Sequence, residues 1–215
     1  MACKLPSLEY FTIGLKKRNV CSCLKSGNAR AKLIQQGVGK MSEGNAQAGV
    51  LYIAEKGSIA MMRVQGSGVR NLAEGFDKWI DYLADSKTIG CIIVDLENCT
   101  YMDSTFMGML VKLARTMMKR CKLLIANAKP LHHELLDGIG VMKGWEYVEQ
   151  PVSCENWNEL CDAISGKLNE RLVVEVHQQL IDWDERNKKF IPFVNLALAE
   201  LAVKKNDGDD EEDDD

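Results

Sequence analysis

The chain has 215 residues, 27 of them Lys or Arg and 31 Asp or Glu, for a formal net charge of −4 at pH 7. That length suits one substantial domain plus extensions, and a hydrophobic content of 46% suits a globular core. No run of 18 apolar residues appears, so a membrane span is not expected.

The charge is unevenly placed. Residues 207–215 carry eight acids, and the rest of the chain is net +4 without them. Residues 1–40 carry eight Lys and Arg against one acid, Glu9, so the stretch 41–206 is mildly acidic. Residues 1–48 lack periodicity and are punctuated by Gly27, Gly37, Gly39 and Gly44. They read as a disordered basic arm with room for a short helix at Ala29 to Gln36. Tyr10 to Leu15 is too short for the apolar core of a signal peptide, so a cytoplasmic protein is expected. Lys16-Lys17-Arg18 reads as a solvated run, and no nucleic-acid partner is assigned to it. Met41 stands just before the first strand and is expected to be the true initiator, with the arm a mis-assigned start.

Eight cysteines invite a disulfide or metal reading. Cys21 and Cys23 form a C-x-C pair, but no second pair stands at zinc-finger spacing. Cys91, Cys99, Cys121, Cys154 and Cys161 sit in apolar patterns and read as buried thiols in a reducing compartment. No metal and no cofactor is expected.

Val50 to Ala54 and Ile59 to Val64 read as two strands of a hairpin. Gly66-Ser67-Gly68 reads as a tight turn. Leu72, Phe76, Trp79, Ile80 and Leu83 then recur at helical spacing. Cys91 to Val94 is a β-branched run suited to a strand buried on both faces. A polar elbow, Asp95 to Asp103, leads into a helix whose apolar face carries Phe106, Met109, Leu110, Leu113 and Met117. Leu123 to Ala126 is a further strand, Lys129 to Asp137 a helix, and Tyr147-Val148 an edge strand. Trp157, Leu160, Cys161 and Ile164 mark another helix. Strands alternating with helices predict a mostly parallel or mixed central sheet flanked by helices. Beyond it, residues 170–204 carry two apolar sets around Pro192 and read as a helical hairpin, whose apolar face is expected to pack on the domain, with pairing to a second copy or holding a partner as alternatives. The expected division is a basic arm at 1–48, the α/β domain at 49–168, a C-terminal helical extension at 169–204 and an acidic disordered tail at 205–215.

The stretch around which this order is built is Tyr101-Met102-Asp103-Ser104-Thr105. Asp103 stands where an N-cap belongs, because its carboxylate can accept from unpaired N–H groups of the first turn. Asp-Ser-Thr reads either as that cap alone or as a phosphorylation switch. A phosphate there would bring roughly −1.5 to −2 charges to a helix N-terminus and expel an acidic or apolar partner.

A buried strand, an Asp-Leu, then Tyr-Met-Asp-Ser-Thr-x-x-Gly-x-Leu entering a helix resembles the STAS domain of anti-sigma factor antagonists and sulfate-transporter tails. Gly108 and Leu110 match the family's later Gly and Leu. The resemblance covers about residues 49–165. It implies a non-catalytic switch in which Ser104 is the phosphorylated residue, Thr105 a secondary acceptor and Asp103 the supporting cap. It implies as partners an anti-sigma factor that is itself a serine kinase, and a serine phosphatase that resets the switch. Asn98, Cys99, Thr100 and Tyr101 would belong to the contact surface. Phe106 stands where phosphorylated antagonists commonly have Gly, and reads as core or as a widening of that surface. Gly66-Ser67-Gly68-Val69 also replaces the acidic segment that antagonists often carry, which departs from the usual kinase contacts.

Other chemistry is thin. His132 and His133 are adjacent on a helix, point to different sides and read as surface or capping groups. His177 has no second His or Cys nearby in sequence. Cys99 is the one nucleophile near the motif and lacks a neighbouring base. The competing readings are a STAS scaffold that is never phosphorylated, and a sensor of a small molecule or nucleotide.

Overall fold

The computed structural model describes residues 49–160 and 169–206, with side chains through Val203. The basic arm with its short helix, the Cys21–Cys23 pair, Met41, the predicted helical residues Cys161 and Ile164, and the tail from Asp207 lie outside the described residues.

The first two strands, β1 (Val50–Lys56) and β2 (Ile59–Gly68), form the expected antiparallel hairpin. Lys56 faces Ile59 across the loop Gly57-Ser58, and Gly57 takes φ +62°. Two-residue hairpin loops need that left-handed backbone, which glycine adopts without strain. Beside β2 run β3 (Cys91–Asp95), β5 (Lys122–Ala126) and β6 (Glu146–Val148), each parallel to its neighbour. The sheet order is β6-β5-β3-β2-β1-β7, with β7 (Asn158–Glu159) antiparallel on β1. The helices α1 (Ala73–Asp85), α2 (Ser104–Met117) and α3 (Pro130–Gly138) lie in the connections between parallel strands, as such connections require. The fold is a mixed α/β sheet with helical crossovers and a helical extension.

The two faces of the sheet are covered differently. Ala60, Met62, Val64, Ile92, Val94, Leu123 and Ile125 point to the helical side. There Phe76, Trp79, Ile80 and Leu83 of α1 meet Phe106, Met109, Leu110, Leu113 and Met117 of α2. The alternate residues Ala54, Met61, Ile93, Leu124 and Ala126 form a smaller cluster, covered by Val148, Val152, Cys154 and Trp157. Arg63 fastens that cover. Its Nε donates to the fully buried Asp95 at 2.9 Å, its guanidinium lies 4.4 Å from the Trp157 ring centre, and it bonds the Val152 carbonyl. Asp95 also accepts from Asn127 at 2.9 Å and the Glu97 amide at 3.1 Å. A buried carboxylate needs such a set, because an unpaired one costs several kcal/mol.

Two expectations are corrected. Gly66-Ser67-Gly68 is not a turn. β2 continues through an irregularity at Gly66/Ser67 and pairs there with β4 (Cys99–Met102), a strand inside the expected elbow. A Cβ on Gly68 would lie 2.9 Å from the Phe106 ring, so glycine makes room for that side chain. Trp157 and Leu160 do not begin a helix. Asn158 and Glu159 pair with β1, and the Leu160 amide donates to the Leu51 carbonyl at 2.8 Å. The unpaired edge of β1 offers backbone partners that a few residues of helical spacing do not outweigh. Of the two roles expected for His132, surface or capping, the structure gives the second: it is 1% exposed. Its Nδ1 accepts from the Lys129 amide at 3.1 Å, a capping role for α3.

Beyond the sheet, α4 (Glu170–Trp183), a 3-10 turn over Glu185–Phe190 and α5 (Ile191–Asn206) make the expected hairpin. Leu172, Val176 and Leu180 of α4 join the main core. A Cβ on Gly108 of α2 would come within 3.0 Å of Val176, so glycine lets the two helices approach closely. Lys112 of α2 bridges Asp77 of α1 at 2.7 Å and Glu175 of α4 at 2.9 Å. The bend is stapled to the loop after α3. Fully buried Asn187 donates to the Ile139 and Leu180 carbonyls at 2.9 and 2.8 Å. Trp183 donates to the Gly140 carbonyl at 2.7 Å, and Lys143 pairs with Asp184 at 2.9 Å.

Candidate functional site

The start of α2 is fixed by one carboxylate used twice. Asp103 has an extended backbone, φ −94° and ψ 173°, as an N-cap should. Its Oδ1 accepts from the Phe106 amide at 2.8 Å, and its Oδ2 from the Arg70 amide at 2.8 Å. The second bond ties the helix start to the segment that follows β2. Asp103 N also donates to the Gly68 carbonyl at 3.0 Å. The cap is therefore held from both sides, and Ser104 takes the first helical position.

Ser104 is half-buried, and its hydroxyl has a partner that the sequence did not disclose. Oγ lies 2.9 Å from Nε2 of His177 on α4. His177 Nδ1 lies 2.7 Å from the Val173 carbonyl. A carbonyl only accepts, so Nδ1 carries the proton and Nε2 accepts from the Ser104 hydroxyl. His177 is 3% exposed. Burial pushes its pKa below the ordinary value, while the Val173 carbonyl and the Asp103 charge act in the opposite direction. The ring is walled by Phe190 at 5.3 Å and Phe193 at 4.7 Å, centre to centre. The one hint of this in the sequence is position. His177 falls on the apolar stripe of α4 between Val173 and Leu180, where a polar side chain calls for a buried partner.

The other expected site residues divide. Asn98, just before β4, and Thr100 and Tyr101 within it are exposed, Tyr101 by 50%. Cys99 and Phe106 are core rather than contact surface, at 0% and 1% exposure. Phe106 packs on Phe76 at 5.5 Å, which accounts for the bulky residue at a position where the motif commonly has glycine. The Cys99 thiol donates to the Tyr101 carbonyl at 3.3 Å, and burial pushes its pKa up, so it is not an activated nucleophile. Thr105 is 4% exposed, out of reach as a secondary acceptor in this arrangement.

Serine and histidine at hydrogen-bond distance are two parts of a nucleophilic arrangement. The third part is missing here, because Nδ1 is spent on a backbone carbonyl and the Asp103 carboxylate on two amides. Among the described residues no group of three His, Cys, Asp or Glu side chains could hold a metal ion. None has a helix long and apolar enough to cross a membrane. A shallow cleft of about 280 Å³ lies at the ends of β3, β5 and β6, lined by Glu97, Asn127, Glu149, Gln150, Pro151 and Val152, and no α2 residue enters it.

Residues 51–144 match the family model described as the STAS domain. This segment is a STAS domain. The match spans β1 to the loop after α3, including Asp103 and Ser104, and leaves α4 and α5 outside. Among solved structures, the STAS-bearing chain is similar to the anti-sigma factor antagonist SpoIIAA in its unphosphorylated form. The two share 14% identity at a TM-score of 0.40, over 48% of this chain and 89% of that one. It is also similar to the Bacillus cell fate determinant SpoIIAA in its phosphorylated form, with 18% identity and a TM-score of 0.38, over 46% and 90%. No curated protein matches.

Proposed function

We propose that this chain is a protein-binding switch of the anti-sigma factor antagonist type, governed by phosphorylation of Ser104. Unmodified, it binds an anti-sigma factor that is also a serine kinase. That kinase phosphorylates Ser104 and is released, and a serine phosphatase restores binding, so transcription is regulated by exchange of partners. The observation that carries this reading is the doubly held Asp103, which presents the Ser104 hydroxyl at the head of α2 within the family motif. Exposed Asn98, Thr100 and Tyr101 precede Ser104 in sequence and are proposed to form part of the surface for the partner. The physical basis is electrostatic. A dianion on Ser104 beside the Asp103 charge must be desolvated for an interface to close over it.

One observation favours the alternative, a STAS scaffold that is never phosphorylated. The hydroxyl is already engaged by His177. Two measurements separate the readings. Mass-spectrometric mapping of the protein from its own cells should find phosphate on Ser104. Wild type, Ser104→Ala and Ser104→Asp used as baits in the same lysate should differ, with a serine kinase of the anti-sigma type held by the first two and lost from the third. If no phosphate is found and the three baits hold the same proteins, the scaffold reading replaces the switch.

A further inference from the structure

The two helices of the extension are built differently. Six residues of α4 are buried, namely Leu172, Val173, Val174, Val176, His177 and Leu180. Among the side chains described on α5, Val194 alone is buried, at 2% exposure. Ile191, Phe193, Leu196, Leu198 and Val203 stand out to solvent by 39–62%. The bend between the helices is anchored by Asn187, Asp184 and Trp183 to the loop after α3, so the chain is held firmly up to about Asn187. Pro192 then follows in the first turn of α5, where it needs no amide partner. A firm anchor followed by a lightly held helix is the layout of a hinged element.

What that element covers is His177, the partner of the Ser104 hydroxyl. Phe193 of α5 and Phe190 beside the hinge close over the His177 ring, and His177 closes over the Ser104 hydroxyl. Oγ and Nε2 stand 2.9 Å apart, which leaves no room for a phosphoryl group between them. A phosphate on Ser104 would therefore break the bond to His177 and push against the ring that Phe190 and Phe193 hold in place, with the Asp103 charge one residue away.

We propose that α5 is a lid on the phosphorylation site: its closed position and a phosphate on Ser104 exclude one another, while α4 stays docked on α2. The proposal rests on the switch reading of Ser104 and names how that site is regulated. Closed, the lid keeps Ser104 in its bond to His177 and restricts a kinase. Phosphorylation releases α5, whose Phe193, Leu196, Leu198 and Val203 become free on every side.

The test uses the full chain with phosphoserine placed at 104 by genetic encoding, compared with the unmodified chain by hydrogen–deuterium exchange. Exchange across 191–206 should rise at least about tenfold on phosphorylation, with 170–183 and α2 unchanged. Ser104→Ala, which loses one hydrogen bond and adds no charge, should keep α5 protected to within about threefold. Phe193→Ser should open α5 without any phosphate. Equal protection of α5 in both forms overturns the lid, and so does an α5 that exchanges freely in the unmodified chain. Joint release of α4 and α5 overturns the hinge at the bend. Because the phosphate is installed by hand, opening without natural phosphorylation would uphold the lid and defeat the switch. Natural phosphorylation with α5 still protected would do the reverse.

Discussion

Helices α4 and α5 are neighbours in one hairpin, yet they relate to the STAS domain in opposite ways. In α4 the apolar residues are gathered on one stripe, and that stripe is seated on α2, with Val176 against Gly108. In α5 apolar residues occur all round, so no orientation of the helix can bury them together. The difference teaches that apolar content alone does not dock a helix. The burial of Leu172, Val176 and Leu180 makes α4 part of the main core, whereas α5 rests on Val194 and on rings that touch His177.

The largest expected effect breaks the seam of α4. Val176→Asp would place an unpaired carboxylate in the contact with Gly108, and should lower stability by on the order of 3–5 kcal/mol, read from the urea midpoint. A change below about 1 kcal/mol would mean that α4 is not part of the folded unit. Next is the cap. Asp103→Ala removes both the Phe106 and Arg70 bonds, and should cost about 1–2 kcal/mol. Asp103→Asn, which keeps one accepting oxygen, should recover part of it.

The pH dependence follows in size. His177 is held neutral by burial, with its pKa below the ordinary value, so the unfolded chain takes up the proton first as pH falls. Its contribution is therefore present above about pH 6.5, and is lost as pH falls from there toward the lowered folded value. Asp103 is the acidic group that opposes this shift, and Lys189 lies over the Phe190 ring beside it. Melting temperatures at pH 7 and pH 5 should differ less in His177→Gln than in wild type. Some loss should remain, because His132 is also buried with a lowered pKa. The smallest effect sharpens the comparison from its other side. Leu196→Asp on α5 should change stability by no more than about 0.5 kcal/mol, since Leu196 is 62% exposed. A cost of several kcal/mol there would mean that α5 is as firmly seated as α4.

Local pattern carried much of the fold. The β-branched run Cys91 to Val94, the stripe Phe106 to Met117 and the cap at Asp103 are all short-range signals, and each stands where its spacing puts it. The signals that misled are also short-range. Gly66-Ser67-Gly68 has the composition of a turn, but a long-range partner, β4, keeps it in a strand. Trp157 and Leu160 have helical spacing, but the open edge of β1 takes the residues between them. Cys99 and Thr105 sit in the motif beside exposed residues and are buried, whereas Phe106 follows its helical stripe inward, onto Phe76 and beside Gly68.

By itself the sequence determined the alternation of strands and helices, the STAS motif with Ser104 after its capping Asp103, and the existence of a helical hairpin after the domain. These depend on residues within a few positions of each other, where backbone periodicity and capping act directly. Only the tertiary structure decided what the Ser104 hydroxyl touches. His177 is 73 residues away, and nothing local ties the two. They meet because α4 must bury its stripe, Gly108 allows it to come close to α2, and a buried imidazole must then find a hydrogen-bond donor.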